Sequence, residues 1–304
     1  MSWFKENSGS FSGDLLFDEP LSRHTYYRIG GPAQVVAVPK SLDDLKWLSR
    51  GLAASGCPVF ILGSGSNILV SDAGFAGLVI KTQRLNAEIT LSGSLLKTGA
   101  SVAVSSLLRR AGQEGWGGLE LLTGIPGSIG GVVAMNAGTH LGEAKDRLQS
   151  VEVFLLDQAV LKKYSGEELK FSYRGNSFLP KNAVVWSAEW NVTLTDAAVV
   201  KSLIDETLTR RKSTQPLEYP SCGSVFKNPR DKGMHAWQVI EKLGLRGHKN
   251  GNAQISEKHP NFIVNLGGAT ALDVRALITL VKARALTELG ISLEEEVKYV
   301  GKCE

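Results

Sequence analysis

The chain has 304 residues, of which 43% are hydrophobic and 21% charged, and its formal net charge is +4. A chain of this length and composition can bury a large core, which excludes a disordered protein and favours two or three domains. The excess of positive charge is small and no run of five or six like charges occurs, so neither a nucleic-acid-binding arm nor a basic membrane patch is expected.

Three cysteines, Cys57, Cys222 and Cys303, argue against a disulfide framework and for a reducing compartment. The first residues contain no signal-peptide core, and no apolar run reaches the roughly 18 residues that a membrane span requires. The five histidines never occur at ligand spacing, so no structural metal is expected. We therefore expect a cytoplasmic protein that binds neither membranes nor nucleic acids.

The first third of the chain predicts a strand, a helix and a second strand. The strand covers 33–39, Ser41 caps the helix, and the second strand covers 59–62. The loop that follows consists of small residues: Gly63, Ser64, Gly65, Ser66 and Asn67. Glycine allows close backbone approach and consecutive amides can face an anion, which makes this loop a candidate phosphate site. It lacks the third glycine of the dinucleotide fingerprint, and the chain has no GK[ST] loop, so Rossmann and kinase folds are disfavoured.

The middle third predicts a helix over 102–110. It also predicts three strands: one over 151–156, one that ends at Tyr173, and one over 184–192. Between the helix and these strands lies a second glycine-rich block: Gly124, Ile125, Pro126, Gly127, Ser128, Gly130 and Gly131. Either loop alone would be taken as structural. Two such loops in one mixed α/β sheet favour a ligand with a pyrophosphate group.

The last third predicts a smaller α+β unit after a helix near 199–212 and a linker over 215–220 that contains two prolines. Its elements are a helix near 235–243, a strand over 262–266, a long helix over 271–289, and a closing strand over 293–300. A capping box marks the start of the long helix.

Four polar residues are candidates for chemistry. Ser224 stands in a turn of small residues, where a serine is usually solvated. Cys222 has no histidine near it in sequence and no obvious helix start to lower its pKa, so we expect a buried spectator rather than a nucleophile. Arg174 and Glu296 pass as surface charges on the sequence pattern alone.

Seven blocks carry a resemblance: 25–33, 63–67 with Asp72 and Gly74-Phe75, 124–138, Tyr173-Arg174, Gly223-Ser224 with Lys227-Asn228-Pro229, 261–265, and Glu296-Val297. In this order, and over nearly the whole chain, they resemble the UDP-N-acetylenolpyruvoylglucosamine reductase family, also called the MurB family. The resemblance implies an α+β protein with an FAD-binding fold of two small α/β subdomains, as in the vanillyl-alcohol-oxidase/PCMH-type superfamily, and a C-terminal α+β substrate domain. We expect the subdomains at 1–82 and 83–208 and the substrate domain at 209–290, with 291–304 packing against the first subdomain.

The resemblance also implies a reaction. NADPH reduces FAD and leaves, and the enolpyruvyl ether of a UDP-sugar is then reduced to UDP-N-acetylmuramate for peptidoglycan synthesis. The two glycine-rich loops would hold FAD, Ser224 would donate the proton, and Arg174 and Glu296 would surround the enolate. The residues expected near the substrate are Arg211, Lys227, Asn228 and His259.

The chain resembles the short form of the family, because no inserted segment with a tyrosine follows Arg174. We also expect the protein to be a monomer. The family has one residue and then serine after its Tyr-Arg pair, whereas here Gly175 and Asn176 precede Ser177. Either the register shifts or Asn176 replaces the serine.

Two alternatives stay open. An FAD-dependent oxidase or dehydrogenase of hydroxy acids or sugars, from the same superfamily, would need a C-terminal half built for alcohol oxidation. A catalytically silent nucleotide-binding protein would keep the glycine-rich loops but lose Ser224, Arg174 or Glu296, and all three are present.

Overall fold

The structure is a computed structural model that describes residues 1–229 and 233–302. Cys303 and the end of the predicted closing segment 291–304 lie outside the described residues. The chain divides into two compact units. Unit 1 comprises Met1–Phe17, Val35–Ser64 and Gly77–Arg211, and unit 2 comprises Asp18–Gln34, Gly65–Ala76 and Lys212–Glu304.

The α-helices are α1 (Ser2–Glu6), α2 (Leu42–Ser55), α3 (Val104–Glu114), α4 (Ile129–Met135), α5 (Ala197–Thr214), α6 (Ala236–Lys242) and α7 (Ala271–Leu289). The strands up to residue 143 are β1 (Asp14–Pro20), β2 (Pro32–Val38), β3 (Val59–Leu62), β4 (Ile68–Val70), β5 (Phe75–Lys81), β6 (Ile89–Ser92), β7 (Leu95–Gly99), β8 (Trp116–Gly117), β9 (Gly138–Thr139) and β10 (Gly142–Glu143). The later strands are β11 (Leu148–Leu155), β12 (Val160–Ser165), β13 (Phe171–Ser172), β14 (Gly175–Asn176), β15 (Ala183–Asn191), β16 (Thr193–Leu194), β17 (Ser221–Ser224), β18 (Lys249–Asn250), β19 (Ala253–Ile255), β20 (Phe262–Asn265) and β21 (Lys298–Val300).

Unit 1 is built on two sheets. The first has the order β1-β2-β5-β3, with β3 parallel to β5, and the second has the order β12-β11-β15-β7-β6. Helix α2 begins where the side chain of Ser41 accepts a hydrogen bond from the backbone N–H of Asp44, and it ends at Gly56 in the left-handed region. One apolar core surrounds Trp47 and a second surrounds Trp190. The first core also includes Phe154 and Val184 from the second sheet.

Unit 2 contains an antiparallel sheet of order β17-β20-β19-β18, the long helix α7 and a parallel pair of strands, β4 and β21. Thr270 and Asp273 form the predicted capping box at the start of α7. The carboxylate of Asp72 accepts hydrogen bonds from the backbone N–H groups of Ala271 and Leu272 at the same end, at 2.8 and 3.2 Å. A negative charge there satisfies helix N–H groups that have no partner within the helix.

The predicted strand over 59–62 and helix over 271–289 have the bounds predicted from the sequence. The closing strand predicted over 293–300 is wrong in length, because only Lys298–Val300 pairs with a neighbouring strand, β4. The residues before Lys298 run as an irregular segment whose backbone bonds to the chain after β17. Within the described ranges, every helix is too short or too polar to cross a bilayer.

Candidate functional site

In unit 1, the second glycine-rich block surrounds a buried serine hydroxyl. Ser128 is the residue before α4, and its Oγ is buried without a hydrogen-bond partner among the residues that the structure describes. A Cβ built at Gly63 would lie 3.1 Å from this oxygen, and one built at Gly131 would lie 3.9 Å from it. The glycines therefore leave open the space around a polar atom that needs a partner.

A second buried hydroxyl of unit 1 lies beside the same loop. The Oγ1 of Thr123 also has no partner within the described part of the chain. The next residue, Gly124, has φ +75°, and a Cβ there would lie 2.2 Å from Cδ of Arg211. Arg211 thus packs directly on the glycine, and its burial lowers its pKa. A guanidinium keeps its charge despite such a shift, so Arg211 places a positive charge at the loop.

These features fit a pyrophosphate-bearing cofactor. Two buried hydroxyls without partners among the described residues, and glycines that leave room around one of them, are suited to phosphate oxygens. FAD has such a pyrophosphate, and Ser128 and the backbone of Gly63 and Gly131 would hold it. Among the described residues, no group of three or more His, Cys, Asp and Glu side chains could hold a metal ion.

Arg174 lies at the tip of a hairpin in unit 1. Strands β13 and β14 pair Phe171 with Asn176 and Ser172 with Gly175, which leaves Tyr173 and Arg174 as the two-residue turn. Arg174 has φ +56°, a left-handed conformation that is uncommon for a residue with a Cβ. Its Nη2 donates to the carbonyl of Gly138 at 2.9 Å, so the guanidinium is tied to the end of the glycine-rich block.

Two asparagines fasten this hairpin. Asn176 Nδ2 donates to the carbonyl of Ala134 in α4 at 2.8 Å, and its Oδ1 accepts from the N–H of Leu179. Asn136, fully buried at the end of α4, donates to the carbonyl of Ser172 at 2.9 Å. Asn176 therefore has a structural role here, whereas Ser177 is exposed.

In unit 2, the segments that carry Ser224 and Glu296 are neighbours. Ser224 is half-buried at the end of β17. The backbone N–H of Glu296 donates to the carbonyl of Val225 at 2.8 Å, and the N–H of Lys227 donates to the carbonyl of Glu294 at the same distance. Two hydrogen bonds thus align the chain after Ser224 with the chain around Glu296.

Asn261 clamps the same segment from the other side. Its Oδ1 accepts from the N–H of Phe226 at 3.0 Å, its Nδ2 donates to the carbonyl of Phe226 at 2.9 Å, and its own carbonyl accepts from the N–H of Val225. The residue is 4% exposed. Three bonds from one asparagine fix the backbone that directly follows Ser224.

The end of the first glycine-rich loop also belongs to unit 2. Gly65 has φ +70°, and a Cβ there would lie 2.3 Å from the carbonyl oxygen of His24, so only glycine fits. Asn67 Nδ2 donates to the carbonyl of Glu296 at 3.2 Å, and its carbonyl accepts from the N–H of Lys298. Asn67 therefore joins the predicted loop to the backbone of Glu296.

The remaining predicted substrate residues are spread over unit 2. Lys227 forms an ion pair with the exposed Glu294 at 2.5 Å. Asn228 accepts a hydrogen bond from the N–H of Ala236 at the start of α6, a capping role. The His259 ring packs edge-to-face on Phe262 with centroids 4.9 Å apart.

Several of these residues gave no signal in the sequence. Periodicity does not distinguish Thr123, Asn136 or Asn261 from other polar loop residues, although Asn136 and Asn261 lie in blocks that carry the resemblance. Cys222 is 2% exposed, and burial raises its pKa to about 12. Such a thiol is protonated at neutral pH, as expected of a spectator.

A glycine-lined loop around buried hydroxyls in an α/β unit, in a chain that also has an α+β unit, is typical of the class of nucleotide-cofactor enzymes. Two family models match the chain: the FAD binding domain over residues 33–162, and the C-terminal domain of UDP-N-acetylenolpyruvoylglucosamine reductase over residues 215–300.

Similar proteins agree with these matches. The UDP-N-acetylenolpyruvoylglucosamine reductase of Heliobacterium modesticaldum is 42% identical over 96% of this chain and 92% of its own length. That of Trichlorobacter lovleyi is 40% identical over 96% of both chains. The crystal structure of the Thermus caldophilus enzyme has a TM-score of 0.80 at 34% identity and covers 95% of this chain and 99% of its own.

A variant of BBE-like 1 from Physcomitrella patens has a TM-score of 0.50 at 14% identity, over 62% of this chain and 44% of its own, which shows the fold alone. The chain belongs to the UDP-N-acetylenolpyruvoylglucosamine reductase family. It is an FAD-dependent oxidoreductase, and the expected α+β FAD-binding fold is confirmed.

Proposed function

We propose that this chain carries out the reaction of its family with Ser224 as the proton donor. The reaction is the NADPH-dependent, FAD-mediated reduction of UDP-N-acetylglucosamine enolpyruvate to UDP-N-acetylmuramate. The observation that carries the residue roles is the alignment of the chain after Ser224 with the segment of Glu296. The alternative oxidase would need a different C-terminal half, whereas residues 215–300 match the reductase domain.

FAD, when bound, supplies the hydride that adds to the terminal carbon of the enolpyruvyl double bond, after NADPH has reduced the cofactor. The neighbouring carbon then carries enolate charge and takes a proton, which completes the addition of one hydride and one proton across the double bond. Ser224 donates this proton. A serine hydroxyl is a weak acid in water, so it needs a fixed position against a strongly basic carbon. Asn261 supports such a position through the backbone of Val225 and Phe226.

Arg174 and Glu296 act on the enolate. A guanidinium lowers the free energy of the developing negative charge, and a carboxyl group can orient the substrate's own carboxylate or share a proton. The turn that carries Arg174 is fixed by its bond to Gly138, so the charge is held in place before the reaction begins. Preorganised charge costs no reorganisation in the transition state.

Two cations suit the substrate's diphosphate. Arg211 packs on Gly124 in unit 1, and Lys227 is held in unit 2 by Glu294, which is mostly exposed. We assign both to the diphosphate, and Asn228 and His259 to the sugar side. An exposed ion-pair partner contributes little, so a phosphate can replace Glu294 at small cost.

Residues 1–82 and 83–208 form the FAD-binding part and 209–290 the substrate domain. The family models over 33–162 and 215–300 support this division. The enzyme works as a monomer in the cytoplasm, the compartment that supplies NADPH and UDP-sugars.

A spectrum of the purified protein tests the function. The protein should be yellow, should bleach with NADPH without oxygen, and should regain its colour on addition of UDP-N-acetylglucosamine enolpyruvate. A protein that bleaches with NADPH but regains colour only with oxygen would favour the oxidase alternative. A protein that takes up no FAD would overturn the proposal.

A further inference from the structure

Strand β17 contains a bulge directly before Ser224. Ser221 pairs with Val264 and Ser224 pairs with Phe262, so two residues of β17 stand opposite Ile263 alone. The second of them, Gly223, has φ +81°. An extra residue in one strand bends that strand and redirects the side chains that follow. The direction of the Ser224 hydroxyl therefore depends on the shape of this bulge.

Tyr27 braces the strand opposite the bulge. Its ring is fully buried, and its hydroxyl donates to the carbonyl of Ile263 at 2.9 Å. Its backbone carbonyl accepts from Nδ2 of Asn265 at 3.0 Å. Both ends of the residue are thus bonded to β20, one at the residue that faces the bulge.

The bulge and Tyr27 are buried together. Tyr27 and Cys222, the first residue of the bulge, belong to one buried core. Burial raises the pKa of Tyr27 well above its usual value and that of Cys222 to about 12. Both groups therefore remain neutral at physiological pH, and the tyrosine keeps the proton that it donates to Ile263.

We propose that the Tyr27 hydroxyl is a positioning group for the reduction: it fixes the bulge of β17 and through it the direction of Ser224. This inference rests on the proposed role of Ser224 as proton donor. Phenylalanine would preserve the buried ring and the packing around it. Only the hydroxyl bonds to the carbonyl of Ile263, the residue opposite the bulge, so the function lies in that group.

Tyr27→Phe in the FAD-loaded protein tests the proposal by stopped-flow spectroscopy. Reduction of the flavin by NADPH should keep its wild-type rate, because Ser224 takes no part in it. Reoxidation by UDP-N-acetylglucosamine enolpyruvate should slow by about 10- to 100-fold, since small misplacement of a reacting group has effects of this size. The KM for the enolpyruvyl sugar should change less than kcat. Tyr164→Phe, which alters a buried tyrosine of unit 1, should leave both half-reactions unchanged.

A double-mutant cycle separates this inference from the proposed function. If Tyr27 acts through Ser224, Tyr27→Phe should slow reoxidation little further in a Ser224→Ala background. A wild-type rate for Ser224→Ala would overturn the role of Ser224 itself. If reoxidation is slow in Ser224→Ala but keeps its wild-type rate in Tyr27→Phe, only the role of Tyr27 is overturned.

Gly223→Ala provides a second test that does not require Tyr27→Phe to fold. A Cβ at Gly223 meets no atom within 4 Å, but the positive φ strains any other residue, so this change disturbs the bulge without a clash. Reoxidation should again slow selectively, and amide exchange over 221–226 should accelerate in both variants. Normal reoxidation by a folded Gly223→Ala protein would show that the bulge does not direct Ser224, and the proposal would fail.

Discussion

The backbone N–H of Glu296 donates to the carbonyl of Val225, the residue after Ser224, at 2.8 Å. Residues 71 positions apart in sequence are therefore neighbours, and the two proposed catalytic side chains of unit 2 lie on segments that bond to each other. Asn261 and Asn67 hold these chains by further bonds to Phe226 and Glu296. A change in any of these bonds would move the proposed proton donor relative to the carboxyl group of Glu296.

Ser224→Ala should slow reoxidation of the flavin by UDP-N-acetylglucosamine enolpyruvate by about 10²–10⁴-fold, the usual contribution of a general acid. Reduction by NADPH should stay within about twofold of wild type, since it needs no proton from Ser224. Stopped-flow traces at the flavin absorbance measure both rates. Ser221→Ala, at the other end of β17, is the matched control and should leave both rates unchanged.

Arg174→Ala and Glu296→Gln should each lower kcat by about 100-fold while the protein stays folded, because each removes a group proposed to stabilise the enolate. Steady-state kinetics and thermal unfolding measure the two effects. Surface residues would instead change stability by less than about 0.5 kcal/mol and leave turnover unchanged.

Two variants serve as controls. Lys181→Ala removes an exposed positive charge, as a match for Arg174→Ala, and Glu288→Gln removes an exposed negative charge, as a match for Glu296→Gln. If both Arg174→Ala and Glu296→Gln keep the wild-type kcat, these residues have no catalytic role and are the surface charges that their sequence pattern indicates.

Ser128→Ala should have opposite effects on the FAD-free and FAD-loaded protein. Its Oγ is buried without a partner among the described residues, and such a group costs about 1–3 kcal/mol, so removing it should stabilise the FAD-free protein by about 1 kcal/mol. The same change should raise the dissociation constant of FAD about tenfold, the equivalent of one lost hydrogen bond.

Urea unfolding of the FAD-free protein and a fluorescence titration with FAD measure the two effects of Ser128→Ala. Ser105→Ala, on the exposed face of α3, is the control and should leave FAD affinity unchanged. If Ser128→Ala lowers the free energy of unfolding but keeps the affinity for FAD, the Ser128 hydroxyl contributes to packing and does not bind the cofactor.

Local signals in the sequence predicted several elements well. The helix over 271–289 carries its own capping box and ends at a glycine, so its bounds follow from local chemistry. The closing strand was predicted too long because alternation of apolar residues from Leu293 to Val300 indicates burial, and the structure satisfies that burial without a strand. The backbone there bonds to Val225 and Lys227 instead, which are distant in sequence.

The candidate site was predicted only in part for the same reason. Glycine, serine and asparagine at 63–67 and 124–131 carry a local signal for a phosphate-binding loop. Tyr27, Asn136 and Asn261 have no such signal, because their roles depend on partners from other parts of the chain: Ile263, Ser172 and Phe226. Burial of a polar residue next to a specific carbonyl cannot be read from its immediate neighbours.

The last prediction concerns the pH dependence of stability. Burial raises the pKa of Cys222 to about 12, whereas a cysteine in an unfolded chain titrates near 8.5. Below that pH the thiol is protonated in both states and contributes no pH dependence. Between about pH 8.5 and 12 the unfolded state binds fewer protons than the folded state, so this group lowers the free energy of unfolding as the pH rises, by up to about 1.4 kcal/mol per unit. The raised pKa of Tyr27 adds to the loss above about pH 10. Cys222→Ala should therefore show a shallower fall than wild type in urea unfolding at pH 8, 9 and 10. Equal slopes for the two proteins would mean that the thiol ionises as readily in the folded core as in the unfolded chain.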